Sequence, residues 1–358
     1  MDFALTEEQE MIAQTARDFF DENATSDRTR AAMQGNGIDP ELWQSFAGEL
    51  GLAGLVIAEE HGGSQLGMVE LASVAEAAGA NVAALPLLGN AMAACALTAG
   101  GSQEQKSEFL PQLASGELIA SVGFATAGAV RFAGGKVDGV VKNVPHGGAA
   151  GLLVVFDGGN GWVLRADDAG VRSETPVTMD QTRPLARIRF DGASATPLEN
   201  AGSALAAALE AGLVCLSAEA LGGAQACLDR TVAYSKDRVQ FGRPIGSFQA
   251  YKHRLADMMV GIEQSRSAVY WAACCVDENA AETPLALHGA KSFVADTYFK
   301  CAGDMIQLHG GIGFTWEHDA HLFFKRAKTI QNLLGTSDWH REQVAAMVLD
   351  GTQTGEAA

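Results

Sequence analysis

The chain carries few basic residues for its size. Its 358 residues include 25 lysines and arginines against 43 aspartates and glutamates, a formal charge of −18. A strongly acidic protein repels the phosphodiester backbone and anionic lipid headgroups. We therefore expect neither nucleic acid nor a membrane surface as a partner, and the charge itself favours solubility.

Cysteines and long apolar runs are also scarce. The six cysteines include no CxxC pair, and most of them stand among alanines and leucines. This pattern predicts small buried residues, with no disulfide framework and no metal site. No stretch reaches about 18 uninterrupted apolar residues, and the acidic segment 1–10 lacks a signal-type apolar core. We expect a cytoplasmic protein without membrane insertion.

The sequence pattern divides the chain into three successive segments. The first is helical, with predicted helix starts at Thr6, at Asp39-Pro40 and at Ser102. From residue 118 glycines become frequent and four short β-type runs follow, Ile119–Phe124, Leu152–Phe156, Trp162–Arg165 and Ala186–Phe190. Helices then return as Leu209–Lys236, Asp257–Asp277, Leu285–Ile306, Lys325–Leu333 and Asp338–Val348. We expect domains at 1–117, 118–203 and 204–350, followed by a flexible tail at 351–358.

Two glycine-containing motifs stand out in the last third of the chain. DRVQFGRPIGSFQ occupies residues 237–249, and QLHGGIGF occupies residues 307–314. Each combines a helix end, glycines and hydrogen-bonding side chains, which suits close approach of the backbone to a phosphate-bearing ligand. Taken singly, each is also compatible with an ordinary helix cap or turn.

Taken together, the two motifs resemble the C-terminal helical domain of acyl-CoA dehydrogenases. The EEHGG turn at 59–63 and the segment GSQEQKSEFLPQLASGE at 101–117 extend the resemblance to the N-terminal region. The resemblance implies an α+β fold, with an N-terminal helical domain, a small β-barrel-like middle domain and a C-terminal four-helix bundle. It also implies FAD-dependent α,β-desaturation of an acyl-CoA thioester, a tetrameric assembly, and an electron-transfer flavoprotein as electron acceptor.

The resemblance assigns FAD contacts to particular residues. In the family, part of the FAD site comes from a neighbouring subunit, and the two motifs correspond to that part. Arg238 is the expected contact to the pyrophosphate, and the hydroxyl of Thr336 can meet the cofactor. The complete expected set is Arg238, Gln240, Phe241, Gln249, Gln307, Gly310, Gly311 and Thr336.

Other family elements are missing. The family shows a Thr-Glu-Pro-like run with a following serine that holds the flavin ring, but residues 124–130 read FATAGAV. A Trp-x-Thr-like strand beside the flavin is replaced by NVPHGG at 143–148. The catalytic glutamate is absent from both of its usual positions, which fall at Leu334 and at about Gly212. Glu210 is two residues from the second position and points about 200° round the helix, so it is a candidate for a displaced base.

Three functional hypotheses follow. In the leading one, the chain is the subunit of a heteromeric acyl-CoA dehydrogenase that completes the FAD site of a related partner and lacks the usual catalytic glutamate. In the second, it is a homomeric acyl-CoA dehydrogenase with a relocated carboxylate base. In the third, it is a non-catalytic acyl-CoA-binding or scaffold homologue. Family analogy favours a fatty, branched or steroid-derived acyl-CoA.

Overall fold

The computed structural model describes residues 4–349, which divide into two compact units. Within the described residues, the first unit comprises 4–26, 68–83 and 213–349, and the second comprises 27–67 and 84–212. The predicted flexible tail at 351–358 lies outside the described residues. The predicted domain boundaries at 117/118 and 203/204 stay predictions.

Helices dominate both ends of the chain. In chain order they are α1 (Glu7–Asn23), α2 (Ser26–Ala32), α3 (Pro40–Gln44), α4 (Met68–Ala80), α5 (Leu87–Gly100), α6 (Gln103–Ala114), α7 (Ala201–Asp237), α8 (Gln249–Asp277), α9 (Thr283–His309), α10 (Ala320–Asn332) and α11 (Ser337–Leu349). Short helical turns cover Ser45–Glu49, Leu52–Gly54, Glu59–His61, Ile245–Ser247 and Gly310–Phe314.

The predicted helix starts are confirmed. The Thr6 hydroxyl accepts the Gln9 N–H at 3.2 Å. The Gln9 side chain accepts the Thr6 N–H at 3.0 Å, which closes a capping box. Ser102 does the same with the residue three positions later. Asp39 accepts the N–H groups of the first turn of α3, with Pro40 as its first residue.

In the first unit, α8, α9, α10 and the part of α7 from residue 213 form the predicted four-helix bundle. Helix α7 contacts α8 through Gln225 and Arg266, and it contacts α10 through Glu219 and Arg326.

Glycines let the backbone of α7 approach that of the neighbouring helix α4 closely. A Cβ atom added to Gly222 of α7 would overlap the carbonyl oxygen of Glu76 on α4, and one added to Gly79 of α4 would overlap that of Glu219 on α7. The six cysteines of the chain are buried and free, as expected of small core residues.

The second unit contains two four-stranded sheets that share one apolar core. The first sheet has the order β1 (Ala120–Ala125), β4 (Leu152–Asp157), β5 (Asn160–Arg165) and β8 (Thr196–Pro197). The second has the order β2 (Val130–Ala133), β3 (Lys136–Pro145), β7 (Leu185–Ser194) and β6 (Val171–Glu174). Only the pair β1–β4 is parallel among these. Together with the helical parts they confirm the predicted α+β class.

The sequence analysis found four of these strands and missed β2, β3, β6 and β8. The missed strands carry exposed polar residues or are very short, so they show no continuous apolar run. The starts of α7, α8 and α10 were also placed too late. Helix α7 begins at Ala201, not Leu209, α8 begins at Gln249, not Asp257, and α10 begins at Ala320, not Lys325. The first turns of α7 and α8 are rich in glycine, serine or charged residues, which weakens their apolar pattern.

Helix α7 is long and apolar enough to cross a membrane by length and composition alone. Its most apolar window is 72% buried inside the structure, which is the behaviour of a core helix packed among others. Its composition is therefore explained by the surrounding protein.

The close approach of α4 and α7 makes a testable prediction about stability. Gly222→Ala should lower the free energy of unfolding by about 3 kcal/mol, because the added methyl group meets backbone that cannot rotate away. Gly289→Ala is the matched control, since it lies in α9 with no atom within 4 Å of the new Cβ. It should be neutral or stabilising by up to about 1 kcal/mol. Urea denaturation of both variants checks this, and equal effects would contradict it.

Candidate functional site

The first motif folds as a two-residue hairpin that follows helix α7. Strands β9 (Val239–Gln240) and β10 (Arg243–Pro244) pair antiparallel, with Arg243 opposite Gln240. The two turn residues, Phe241 and Gly242, have φ values of 55° and 76°. A two-residue hairpin turn with both φ angles positive suits the twist of the strands, but it strains a phenylalanine backbone.

Side chains project from this hairpin into solvent. Phe241 is 91% exposed, and its ring makes an edge contact with Phe248 at 6.1 Å between centroids. The Arg243 guanidinium lies 4.0 Å from the centre of the Phe248 ring, in cation–π contact. The Arg238 guanidinium is exposed and makes no hydrogen bond or ion pair within residues 4–349. Arg238 is thus available to an external anion.

The second motif forms the end of helix α9 and the segment after it. His309 is buried, and its Nδ1–H donates to the Met305 carbonyl at 2.7 Å. Its ring stacks on Tyr234 and contacts His318, each at 4.4 Å between centroids. Gly310 has φ 64° and ψ −141°, a conformation that glycine adopts without strain. No atom lies within 4 Å of a Cβ placed on it.

The glycines of the second motif differ in role. Gly311, like Gly310, is exposed and has open space where a side chain would stand. Gly313 is buried, and a Cβ atom there would lie 2.7 Å from the Ile306 carbonyl. The first two glycines therefore leave backbone accessible to a ligand, whereas the third permits helix packing.

The structure brings the two motifs to one end of the bundle. Tyr251 on the first turn of α8 donates its hydroxyl to the Leu308 carbonyl at 3.1 Å, and the Tyr234–His309 stack joins the end of α7 to the end of α9. Seven of the eight predicted cofactor residues lie on these segments, namely Arg238, Gln240, Phe241, Gln249, Gln307, Gly310 and Gly311. An exposed guanidinium, three exposed amide side chains and open glycine backbone fit a dinucleotide with a pyrophosphate.

Thr336 is not part of this group. The carbonyl of its neighbour Gly335 accepts a hydrogen bond from Lys291 at 3.3 Å. Lys291 and Leu308 lie towards opposite ends of α9, and the rise of an α-helix separates them by about 25 Å along its axis. The Thr336 hydroxyl accepts the Trp339 N–H at 3.2 Å and so caps α11. Within one chain, Thr336 and the Arg238 group therefore occupy separate places.

Glu210, the candidate base, lies on the part of α7 that belongs to the second unit. It is partly buried, and this burial raises the pKa of its carboxyl group. Cys95 on α5 is close to it: burial, with a smaller contribution from the Glu210 charge, raises the pKa of that thiol to about 12. A carboxylate with a raised pKa suits a general base. Burial of a carboxylate between packed helices raises its pKa in the same way, without any catalytic role.

Residues 124–130 span the end of β1, a tight turn and the start of β2, and sequence reasoning did not anticipate this turn. The Ala129 N–H donates to the Thr126 carbonyl at 2.8 Å. The buried carboxylate of Asp157, from β4, accepts the N–H groups of Gly128 and Val130, both at 2.8 Å. The N–H groups of Gly128, Ala129 and Val130 are therefore satisfied from within the chain. No local signal marks Asp157 as the partner, because it lies 27 residues or more from the turn.

Comparison with known proteins decides the family. Residues 6–117 match the family described as acyl-CoA dehydrogenase, N-terminal domain, and residues 201–349 match acyl-CoA dehydrogenase, C-terminal domain. Acyl-CoA dehydrogenase IpdE2 of Mycolicibacterium smegmatis is 37% identical over 332 residues, covering 92% of this chain and 96% of that protein. The chain belongs to the acyl-CoA dehydrogenase family. These are flavin-dependent CH–CH oxidoreductases, and FAD is their characteristic cofactor.

Two solved structures are similar over almost the whole chain. A structure described as Tcur3481-Tcur3483 steroid ACAD has a TM-score of 0.90 at 29% identity, covering 97% of this chain and 99% of that chain. The ChsE4-ChsE5 complex from Mycobacterium tuberculosis has a TM-score of 0.90 at 25% identity, covering 99% of this chain and 100% of that chain.

The strained hairpin of this acyl-CoA dehydrogenase makes a second prediction. Phe241→Gly should leave the free energy of unfolding of the isolated chain within about 1 kcal/mol of wild type, because relief of the left-handed backbone offsets the flexibility of glycine. Gly242→Ala, in the same turn and with open space around it, should cost about 1 kcal/mol. Denaturation curves of both variants check the pair. A loss of more than about 2 kcal/mol in Phe241→Gly would show that its ring is packed in solution.

Proposed function

We propose that this chain is a subunit of a heteromeric acyl-CoA dehydrogenase and completes the FAD site of a related partner chain. The observation that carries the proposal is the group of seven exposed residues at one end of the bundle, in which the Arg238 guanidinium makes no hydrogen bond or ion pair within residues 4–349. Arg238 would hold the pyrophosphate, and Gly310 and Gly311 would admit the adenine end close to the backbone.

The surface around this group supports an intermolecular role. Phe241, Phe314 and Trp316 are 91%, 85% and 63% exposed, and all three lie on or just after the two motifs. Exposed aromatic residues at this density are enriched where proteins meet partners. A phenylalanine that keeps a strained backbone while its ring stays in solvent contributes little to the stability of its own chain.

The chain's own flavin bed supports the same proposal. In the family, the backbone and hydroxyl groups of this region hold the flavin ring, but here the turn at 124–130 lacks the acid, proline and serine. Its Gly128 and Val130 N–H groups are already bonded to Asp157. A ring placed there would have to displace a buried carboxylate from two hydrogen bonds.

The missing base fits a shared active site. Leu334 occupies the position where one branch of the family carries its catalytic glutamate, and a leucine cannot accept the α proton. In the assembled enzyme, the partner would supply this carboxylate, while FAD supplies the acceptor for the β hydride. The substrate would be an acyl-CoA, and the electrons would pass to an electron-transfer flavoprotein, as the family resemblance implies.

The relatives support a two-chain assembly and a steroid-derived substrate. One similar structure is described by two chain names and the words steroid ACAD, and another is described as a complex of ChsE4 with ChsE5. We propose by analogy that the present chain also pairs with a related chain and that the pair acts on a bulky, steroid-derived acyl-CoA.

The decisive experiment is the flavin absorbance spectrum of the chain purified alone and after coexpression with a related acyl-CoA dehydrogenase chain. The chain alone should be colourless, and the pair should be yellow, with about one flavin per two chains. In the pair, Arg238→Gln should abolish flavin retention without preventing assembly. Arg243→Gln, on the same hairpin but stacked on Phe248, is the matched control and should retain the flavin. A yellow chain alone, bleached by an acyl-CoA, would contradict the heteromer.

The homomeric alternative rests on Glu210, whose raised carboxyl pKa suits a base. If the chain alone holds flavin, Glu210→Gln should lower the rate of flavin reduction by acyl-CoA at least a thousandfold while leaving flavin binding unchanged. Under the heteromer proposal, the same substitution in the pair should change the reduction rate less than threefold. Rapid-mixing absorbance measurements distinguish the two. Binding of acyl-CoA without flavin in any assembly would instead favour the scaffold alternative.

A further inference from the structure

The segment Leu333-Leu334-Gly335-Thr336-Ser337, here named the 333–337 turn, joins helices α10 and α11 in an unfavourable backbone conformation. Leu334 has φ 55° and Gly335 has φ 104°. A leucine in the left-handed region is disfavoured on its own. Contacts from outside the turn must therefore stabilise it.

Two side chains hold its carbonyl groups. His340 Nε2 lies 2.9 Å from the Leu334 carbonyl oxygen, and Lys291 Nζ donates to the Gly335 carbonyl at 3.3 Å. Both side chains are completely buried. Gly335 itself has no room for a side chain, because a Cβ atom there would lie 2.7 Å from the Trp339 ring and 2.9 Å from His340 Nε2.

A second histidine determines the tautomer of the first. A carbonyl oxygen only accepts, so His340 Nε2 must carry the hydrogen. His340 Nδ1 lies 2.6 Å from His288 Nδ1. In a neutral His340 that Nδ1 is an acceptor, and His288 must donate to it. The chain of bonds therefore runs from His288 through His340 to Leu334.

The electrostatics favour the neutral form of His340. Burial, aided by the charges of Lys291 and His288, lowers its pKa to about 3. Burial likewise lowers the pKa of His288, and lowers that of Lys291 to about 8 against the opposing charge of Asp296. The charged groups from the surrounding elements are Asp296 on α9 and Arg341 with Asp338 on α11. Asp296 binds Arg341 and Gln331 of α10, and Arg341 also binds Asp338.

We propose that His340 and Lys291 are positioning residues that hold the 333–337 turn and so present Thr336, and that His288 sets the tautomer of His340. The inference rests on the proposed function only in taking Thr336 as a cofactor contact. The holding of the turn is a separate claim about this chain's own residues.

The test is a matched pair of substitutions at one position. His340→Gln keeps an N–H donor at the place of Nε2, whereas His340→Asn places its amide at Nδ1 and cannot reach the Leu334 carbonyl. Hydrogen exchange of the folded chain reports the turn directly. Protection of the amides of residues 334–339 should fall about tenfold in His340→Asn, the effect of one lost hydrogen bond. It should stay within about threefold of wild type in His340→Gln.

Amides in the buried middle of α7 serve as the internal reference for global stability. Equal protection of the turn in His340→Asn and wild type, or equal loss in the two variants, would overturn the proposal.

If His340→Asn does not fold, Lys291→Met tests the second bond. It should lower protection of the turn and raise the pKa of His340 measured by NMR, because a neighbouring positive charge is removed. Unchanged protection in Lys291→Met would overturn the role of Lys291.

The pH dependence has a definite sign. When the pKa of a histidine is lowered in the folded state, its titration does not change the free energy of unfolding at pH values above its ordinary pKa of about 6.5. As the pH falls below that pKa, the histidine destabilises the fold. Protection of the turn in wild type should therefore weaken between about pH 6.5 and pH 3, by up to tenfold per pH unit. His340→Gln should flatten this dependence. Identical pH profiles would overturn the assignment of the titrating group to His340.

The cofactor part is tested separately in the coexpressed pair by the rate of FAD release. His340→Asn should accelerate FAD release about tenfold, whereas His340→Gln should release FAD at the wild-type rate. If His340→Asn lowers the amide protection of the 333–337 turn but leaves the rate of FAD release unchanged, the role of Thr336 as a cofactor contact would be overturned. A wild-type pair that holds no flavin would refute the proposed function, while the exchange experiment would still decide how the turn is held.

Discussion

The first unit depends on backbone contact at one turn of helix α7. Between Glu219 and Gly223 this helix touches α4 through the two glycines 79 and 222, and it contacts the Tyr298 ring of α9 at Gly223. The buried carboxylate of Glu219 pairs with the buried Arg326 of α10. Helices α4 and α9 are thus fixed against α7 by contacts that leave no space for added atoms, and α10 is fixed by the ion pair. Loss of either partner would break this buried ion pair, which is strongly destabilising.

This rigid centre contrasts with the end of the bundle that carries the candidate cofactor residues. There the hairpin and the segment after α9 are exposed, and they are tied back through the Tyr234–His309 stack and the Tyr251 hydroxyl. Ligand contacts on short segments anchored to a rigid scaffold are a common arrangement in binding sites. The structure therefore separates residues that maintain the bundle from residues that face outward.

Sequence reasoning was accurate where the controlling interaction is local. The capping boxes at Thr6 and Ser102 span only three residues, and glycine-rich motifs mark helix ends directly. It was weaker where the partner is distant in sequence. The bond from Asp157 to the turn at 124–130, and the separation of Thr336 from Arg238, depend on tertiary placement that no local pattern encodes. Strands β2, β3 and β6 of the second sheet were missed because their exposed polar residues dilute the apolar signal.

The Asp157 carboxylate has one further consequence. It accepts the backbone N–H groups that a bound flavin would otherwise meet. Because Asp157 belongs to the same chain, its effective concentration at this turn is higher than that of a free cofactor. Restoring the acid, proline and serine to that turn would therefore be insufficient to recreate a flavin bed. The internal competitor would have to be removed first, so the order in which such substitutions occur determines whether any of them has an effect.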